Sequence, residues 1–456
     1  MLSFPVTSRP IARLYRYRGS KGRRMPITTQ KRPVKFDPQR RAVPSDVKTT
    51  IETFTQHLET EERRLGIRIR ARRDVDQRNF RLAVEAIACN LLVSAIVAPD
   101  APLSVPRSHA AMWSQGRYHT PVYGQHFLAI LYLLRKLGLI SQVTKGYRFS
   151  TTASQPTTIC ATEKLSRHLP LGMTDWGAFR REEEPEVIVL KPEKDEDGRA
   201  NPLDYEDTRN TKRWRREMRA INAWVTAAPI TVLADEARAI RVDKGGQPIE
   251  PYRRSLHRVF NNKNWNAGGR LWGGYWMNME RTERFRTIRI AGEEIANVDY
   301  GSLFPRIAYA HAQAGQPEGD LYDVTGDGTC RDGWKKLINA MLFGTKPLRG
   351  WPTDTLEAFP KGTKLTDAVA AIKRKHAPIA KLFERGLGFQ LMRHESDMLV
   401  SVITALFKKG ITALPLHDSV LVARSQAETA KRFMEAEFWH RTASARAFVK
   451  IDFGPN

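Results

Sequence analysis

Three short stretches of the chain carry side chains that could act together on a phosphate ester. In "RFRTIRIAGEEIANVDYGSLFPR", an alternating strand with Ile288 and Ile290 turns at Gly292, and a second strand ends at Asp299. A carboxylate at the end of a central strand is well placed to hold Mg²⁺, which takes oxygen ligands. The same residue type also caps an ordinary strand-to-helix turn. In "CRDGWKKLINAMLFGTKP", Arg331, Lys335, Asn339 and Phe343 recur every four residues. At ~100° per residue they drift by only ~40° a step, so they form one slanted stripe on a helix. Trp334, Leu337, Ile338 and Met341 fall on the other side, where a core would lie. Two cations ahead of an aromatic suit a nucleoside triphosphate, cations to phosphates and aromatic to sugar and base. A solvated basic face on a core helix gives the same pattern. In "GITALPLHDSVLVARS", two apolar strands meet at His417 and Asp418. Such a pair is either a plain exposed turn or a charge that is paired or metal-bound.

The order of the stretches matters more than any one of them. A carboxylate after a strand is followed by a cationic helix, then by a second carboxylate on a hairpin. If the two strands share one antiparallel sheet, Asp299 and Asp418 can hold the same two metal ions. Two Mg²⁺ at about 3.5–4 Å bind the attacking and leaving oxygens of an in-line phosphoryl displacement.

The elements around these stretches are mixed. Residues 47–75 read as a charged helix, and "NFRLAVEAIACNLLVSAIVA" as a second one. After a Pro-containing loop, "GQHFLAILYLLRKLGLISQVTKGYRFS" reads as an amphipathic helix, a Gly turn, an apolar strand and a Lys-Gly hairpin. A winged helix has this pattern, and so does any helix packed on a hairpin. Arg135, Lys136, Lys145 and Arg148 would suit a nucleic-acid contact or a solvated face. "EPEVIVLKP" is a short strand, and residues 208–229 form a basic helix crowded with Arg213, Arg215, Arg216 and Arg219.

The 456 residues allow two or three domains and a sizeable core. A net charge of +25, from 74 Lys and Arg against 49 Asp and Glu, attracts polyanions. Nucleic acid is the expected partner, with an anionic membrane surface as the rival. No apolar run of transmembrane length is evident, so no membrane partner is expected. Cys89, Cys160 and Cys330 are isolated, which fits a reducing cytoplasm rather than a disulfide or zinc framework. Residues 1–45 are rich in Arg and Pro and read as a disordered basic arm. A mitochondrial presequence has similar chemistry and is the second reading of that arm.

The motifs resemble those of the family A polymerases, the DNA polymerase I type and the related single-subunit phage-type RNA polymerases. "DYGSLFPR" is similar to motif A, with Asp299 matching the metal-binding Asp and the Tyr300 backbone carbonyl a further ligand. "RDGWKKLINAMLFG" fits motif B, Arg-x3-Lys-x7-(Tyr/Phe)-Gly, at Arg331, Lys335, Phe343 and Gly344. "LHDS" is similar to motif C, with Asp418 the second metal ligand and His417 positioning the primer end. "NWNAGGRLWGGYW" resembles the element upstream of motif A, with Gly269 and Arg270 touching the primer–template. "GFQLMRHESDMLVSVITALFKKG" takes the place of the helix before motif C, so that Gln390, His394 and Glu395 would face the template. The resemblance covers residues 250–425.

The resemblance implies an α+β right hand: a palm with an antiparallel sheet, small fingers and a thumb, after a mostly helical basic N-terminal region. The expected divisions are 1–45 for the arm, 46–180 for a winged-helix-like nucleic-acid-binding region, 181–250 for a thumb-like basic region, and 251–456 for palm and fingers. It implies a template-directed DNA polymerase that transfers nucleotides from dNTPs to a primer 3′-OH with two Mg²⁺, for which Mn²⁺ can substitute. Arg331 and Lys335 would neutralise the β and γ phosphates, and Lys335 would protonate the leaving pyrophosphate. Gly344 would let the helix approach the templating base. Phe304 stands where the DNA branch usually has Glu and the RNA branch a small residue. With Phe343, it removes polar groups that could read a 2′-OH and favours deoxyribose. Ser419 after Asp418 is commoner in the RNA branch and points the other way. Residues 1–245 show no lead segment of a proofreading exonuclease. A compact enzyme of this kind fits replication or repair of a mobile element in a bacterial, phage or plasmid setting. The rivals are an RNA polymerase or primase-polymerase using rNTPs, and a non-catalytic DNA-binding replication initiator.

Overall fold

The computed structural model describes residues 32–98, 100–112, 116–148, 154–196, 198–233, 242–442 and 445–455, over which the chain is α+β with several small sheets. The largest sheet follows from the alternation noted above. Ile288–Ile290 and Glu293–Tyr300 form a hairpin whose turn residues, Ala291 and Gly292, both hold positive φ (52° and 82°). A tight two-residue hairpin turn requires that backbone. Ile230–Val232 adds to one edge, and Ser419–Ala423 with Leu414–Leu416 to the other. Val449–Asp452 pairs with the end of Glu293–Tyr300, beyond the reach of Ile288–Ile290. All these pairings are antiparallel.

Helix Ala427–Arg441 packs on this sheet, and the Tyr300 hydroxyl donates to the Met434 carbonyl at 2.6 Å. Helix Gly388–Lys408 packs against Arg209–Ala227, Leu303–His311, Arg331–Phe343 and Ala427–Arg441, and against strand Gly268–Trp272. That strand belongs to a three-stranded sheet in which His257–Phe260 lies between it and Ile188–Leu190.

A second hydrophobic core lies in residues 34–179. Helices Asp46–Arg64, Asp74–Val97 and Gln125–Lys136 pack there with a four-stranded sheet of Val34–Lys35, Leu103–Val105, Thr157–Ala161 and Ile140–Thr144. The helix, glycine turn and strand read at 125–144 are present, with Gly138 at φ 70° between helix and strand.

The structure corrects several expectations. The first charged helix stops at Arg64 instead of reaching 75, because Gly66 takes the left-handed conformation that ends helices. The basic arm read over 1–45 lies largely outside the described residues, but 32–45 are ordered. Val34 is buried in a strand, and Arg40 is fully buried, donating to Glu250 at 2.6 Å and to Asn90. Composition hid these partners, which lie far along the chain. The division at 250 is not one of packing. Trp214, Met218, Ile221 and Val225 of helix Arg209–Ala227 join the same core as the large sheet. Its arginines are mostly engaged: Arg215 binds Glu186 and Asp207, each at 2.7 Å. One helix, Asp74–Val97, is by length and composition apolar enough to cross a membrane, which the sequence reading overlooked. It is a core helix here, with Phe80 and every residue of Ala83–Ser94 buried.

Candidate active site

Asp299 is the next-to-last residue of its strand, opposite Ser419 on one neighbour and Lys450 on the other. Asp418 sits in the turn just before Ser419, and its carbonyl accepts from the Tyr300 N–H at 3.4 Å. The antiparallel pairing thus brings the two carboxylates to the same end of adjacent strands. That turn is held by His417 at φ 59°. The buried His417 Nδ1 has no hydrogen-bond partner, while its ring stands edge-on to Trp272 at 5.7 Å.

Asp299, Tyr300, His417, Asp418 and Lys450 line a cavity of about 420 Å³. Of the predicted site residues, Asp299, Tyr300, Phe304, Arg331, Lys335, Phe343, Arg270, His417 and Asp418 all border it. Helix Arg331–Phe343 presents Arg331, Lys335, Asn339 and Phe343 to the cavity while Trp334, Leu337, Ile338 and Met341 are buried. A larger cavity, of about 840 Å³, opens at the opposite end of the same sheet between Trp224, Glu293 and Phe433, and no carboxylate pair lines it.

Two cations are held by carboxylates that the sequence reading did not place in that role. The Arg331 Nε donates to Asp320 at 2.5 Å. Asp320 also accepts from the Ser302 hydroxyl at 2.5 Å and the Tyr322 N–H at 3.0 Å, so it ties the turn after Asp299 to the start of the cationic helix. Tyr322 lies under both cations, its ring 5.8 Å from the Arg331 guanidinium and 5.7 Å from the Lys335 ammonium. Its hydroxyl donates to Asn339 at 3.2 Å. Arg270 donates two bonds of 2.7 Å to Glu395 and lies 5.5 Å above the Phe304 ring. The Phe304 and Phe343 rings are 5.7 Å apart.

Five predicted contact residues lie outside the cavity lining. Glu395 is 1% exposed, so it orients Arg270 and faces no template. Gly269 is buried at φ 84°, with its carbonyl taken by Arg258 and Ser396. A Cβ there would come within 3.3 Å of Arg258, Arg393 and Phe260, so this glycine serves packing. Gln390 and His394 are exposed on Gly388–Lys408 but do not border the cavity. Gly344 ends its helix in extended backbone, away from the cavity lining. Lys450, Asp320 and Tyr322 were missed. Lys450 joins the site through strand register alone, and the other two lie in an irregular connection that has no periodic signal.

The electrostatics of the pair follow from its placement. Burial raises the Asp299 carboxyl to about 8, the adjacent Asp418 charge adds to the rise, and Lys335 and Lys450 oppose it. Burial likewise lifts Glu395 to about 7 against the pull of Arg270. Two converging carboxylates, one of them reluctant to ionise, favour a cation between them. No group of three or more His, Cys, Asp or Glu side chains suited to a metal occurs among the described residues. Mg²⁺ needs fewer: one or two carboxylates, with the remaining oxygens from water and substrate phosphates. The donor set therefore fits Mg²⁺ beside a phosphate-bearing substrate. No protein-family model matches the chain, and comparison with curated proteins returns no match.

Proposed function

We propose that the protein is a template-directed DNA polymerase, a compact and divergent relative of family A. The observation that carries this reading is the meeting of Asp299 and Asp418, remote in sequence, at one end of an antiparallel sheet, with Arg331 and Lys335 bordering the same cavity. In this reading the large sheet is the palm, helix Arg331–Phe343 belongs to reduced fingers, and the basic surface binds the primer–template.

Two Mg²⁺, when bound, supply activation of the primer 3′-hydroxyl and neutralisation of the triphosphate. Asp299, Asp418 and the Tyr300 carbonyl would hold them. The 3′-oxygen attacks the α-phosphorus, its proton passes to solvent, and the bond to the oxygen bridging the α and β phosphates breaks. Arg331, aimed by Asp320, steadies the phosphates. Lys335 donates a proton to the departing pyrophosphate. Phe304, 8% exposed under Arg270, fills the space beneath the sugar and excludes a 2′-OH by contact. Ser419, the residue that points toward the RNA branch, is 2% exposed with its hydroxyl donating to the Leu416 carbonyl at 2.9 Å, so in this reading it makes no contact with the sugar.

Primer extension on a DNA template tests the reading, with dNTPs or rNTPs, with and without primer, in Mg²⁺ or Mn²⁺. Primer-dependent incorporation of dNTPs is expected. Equal use of rNTPs removes the DNA preference, and binding without incorporation favours the initiator.

A further inference from the structure

We propose that Lys450 is a phosphate-binding cation of this site, a role that rests on the polymerase reading. Strand Val449–Asp452 pairs with Glu293–Tyr300 so that Lys450 lies directly opposite Asp299. Directly opposed residues on antiparallel strands project to the same face, with Cβ atoms about 4.5–5.5 Å apart. Lys450 therefore stands beside Asp299 on the side away from Ser419, and it borders the same cavity.

Its position is built into the fold. Val449 is buried and anchors the strand. The Gly301 N–H donates to the Phe448 carbonyl at 2.6 Å. A Cβ on Gly301 would come within 2.5 Å of the Phe448 ring, so a glycine after Tyr300 is what lets this strand close against the site. The Lys450 ammonium lies 4.9 Å from the Phe448 ring centre, which directs the side chain. Among the described residues it forms no ion pair, unlike Arg331 with Asp320 and Arg270 with Glu395. An exposed ammonium beside a carboxylate pair, acting on Asp299 only through space and in ion-pair contact with no carboxylate, fits a ligand that brings its own negative charge. Arg331 and Lys335 reach the cavity from the helix, and Lys450 reaches it from the sheet. The ligand is a phosphate, either of the incoming triphosphate or of the last phosphodiester of the primer strand.

The test compares wild type, Lys450→Gln and Lys450→Arg as full chains. It measures kcat and KM for dNTP, and equilibrium binding of dNTP and of primer–template in Mg²⁺. Lys450→Gln is expected to weaken one of the two ligands about tenfold, the size of one lost charge-assisted contact, with Lys450→Arg within about threefold of wild type. A rise in KM and Kd for dNTP assigns the triphosphate, and a rise in Kd for primer–template assigns the primer phosphate. Unchanged binding of both ligands overturns the proposal, including when kcat alone falls, and so does an Arg variant as impaired as Gln. A wild type that binds dNTP but never incorporates it removes the polymerase reading, and an active wild type with a silent Lys450→Gln removes only the role of Lys450.

Discussion

In the proposed function, single residues set the chemistry and its selectivity. Phe304 and Phe343 border the cavity with two rings that carry no hydroxyl, and in that reading a ribose is refused by their volume. Replacing Phe304 with Ala opens that space, and the ratio of kcat/KM for dNTP over rNTP is expected to fall by at least about tenfold, as for other contact-based exclusions. Competition kinetics with matched dNTP and rNTP measure it, and an unchanged ratio places the gate elsewhere. At this scale the sequence was informative where a side chain's role follows from local spacing. Asp299, Arg331, Lys335 and Asp418 are each readable from a strand end, a helical stripe or a hairpin tip. Glu395 and Gly269 were misread because a motif position does not disclose burial. Glu395 is spent on Arg270, and Gly269 is packed under three neighbours.

At the scale of elements, helix Gly388–Lys408 sets the position of the cationic helix. A Cβ at Gly388 would come within 2.4 Å of the Phe343 ring, so this glycine lets the end of Arg331–Phe343 sit against the long helix. Gly388→Ala is expected to destabilise the protein by about 1–3 kcal/mol, the usual cost of overpacking. It should also raise KM for nucleotide by moving Phe343. Denaturant unfolding and steady-state kinetics check both, and a variant as stable as wild type with unchanged KM removes this packing role. The hairpin, the stripe and the His-Asp turn were legible because their periodicities are local. The pairing of Val449–Asp452 beside Asp299 was not, since nothing in a four-residue strand states its partner. The same limit hid Asp320 in the connection before the helix.

On the scale of the whole molecule, charge locks the fold, and in the proposed function its excess also attracts nucleic acid. Residues 32–45 are tied in by buried ion pairs. Asp37 is pushed up by burial, but Arg181, at 2.7 Å, and Arg40 outweigh that and hold it at about 2. A carboxyl depressed from 3.8 to about 2 adds about 2 kcal/mol of stability above pH 4, which is lost as pH falls from about 4 through 2. Asp37→Asn is therefore expected to lower the unfolding free energy at pH 7 and to flatten its fall between pH 4 and 2. Urea titrations across that range measure it, and an unaltered slope contradicts the assignment. The basic arm was overextended in the sequence reading because Arg-rich composition resembles a tail whether or not its arginines find carboxylates. Arg40, paired with Glu250, shows that a long-range partner decides the matter.

In the proposed function, Asp299 and Asp418 form one catalytic centre. Primer extension by the wild-type chain, Asp299→Asn and Asp418→Asn, with dNTPs and Mg²⁺, tests it most directly. Wild type is expected to extend the primer, and each variant to lose about 10³-fold or more of that rate. Each variant should melt at or above the wild-type temperature in chelator, because the repulsion between the two carboxylates is relieved. A folded Asp418→Asn protein that extends the primer as fast as wild type would contradict the account.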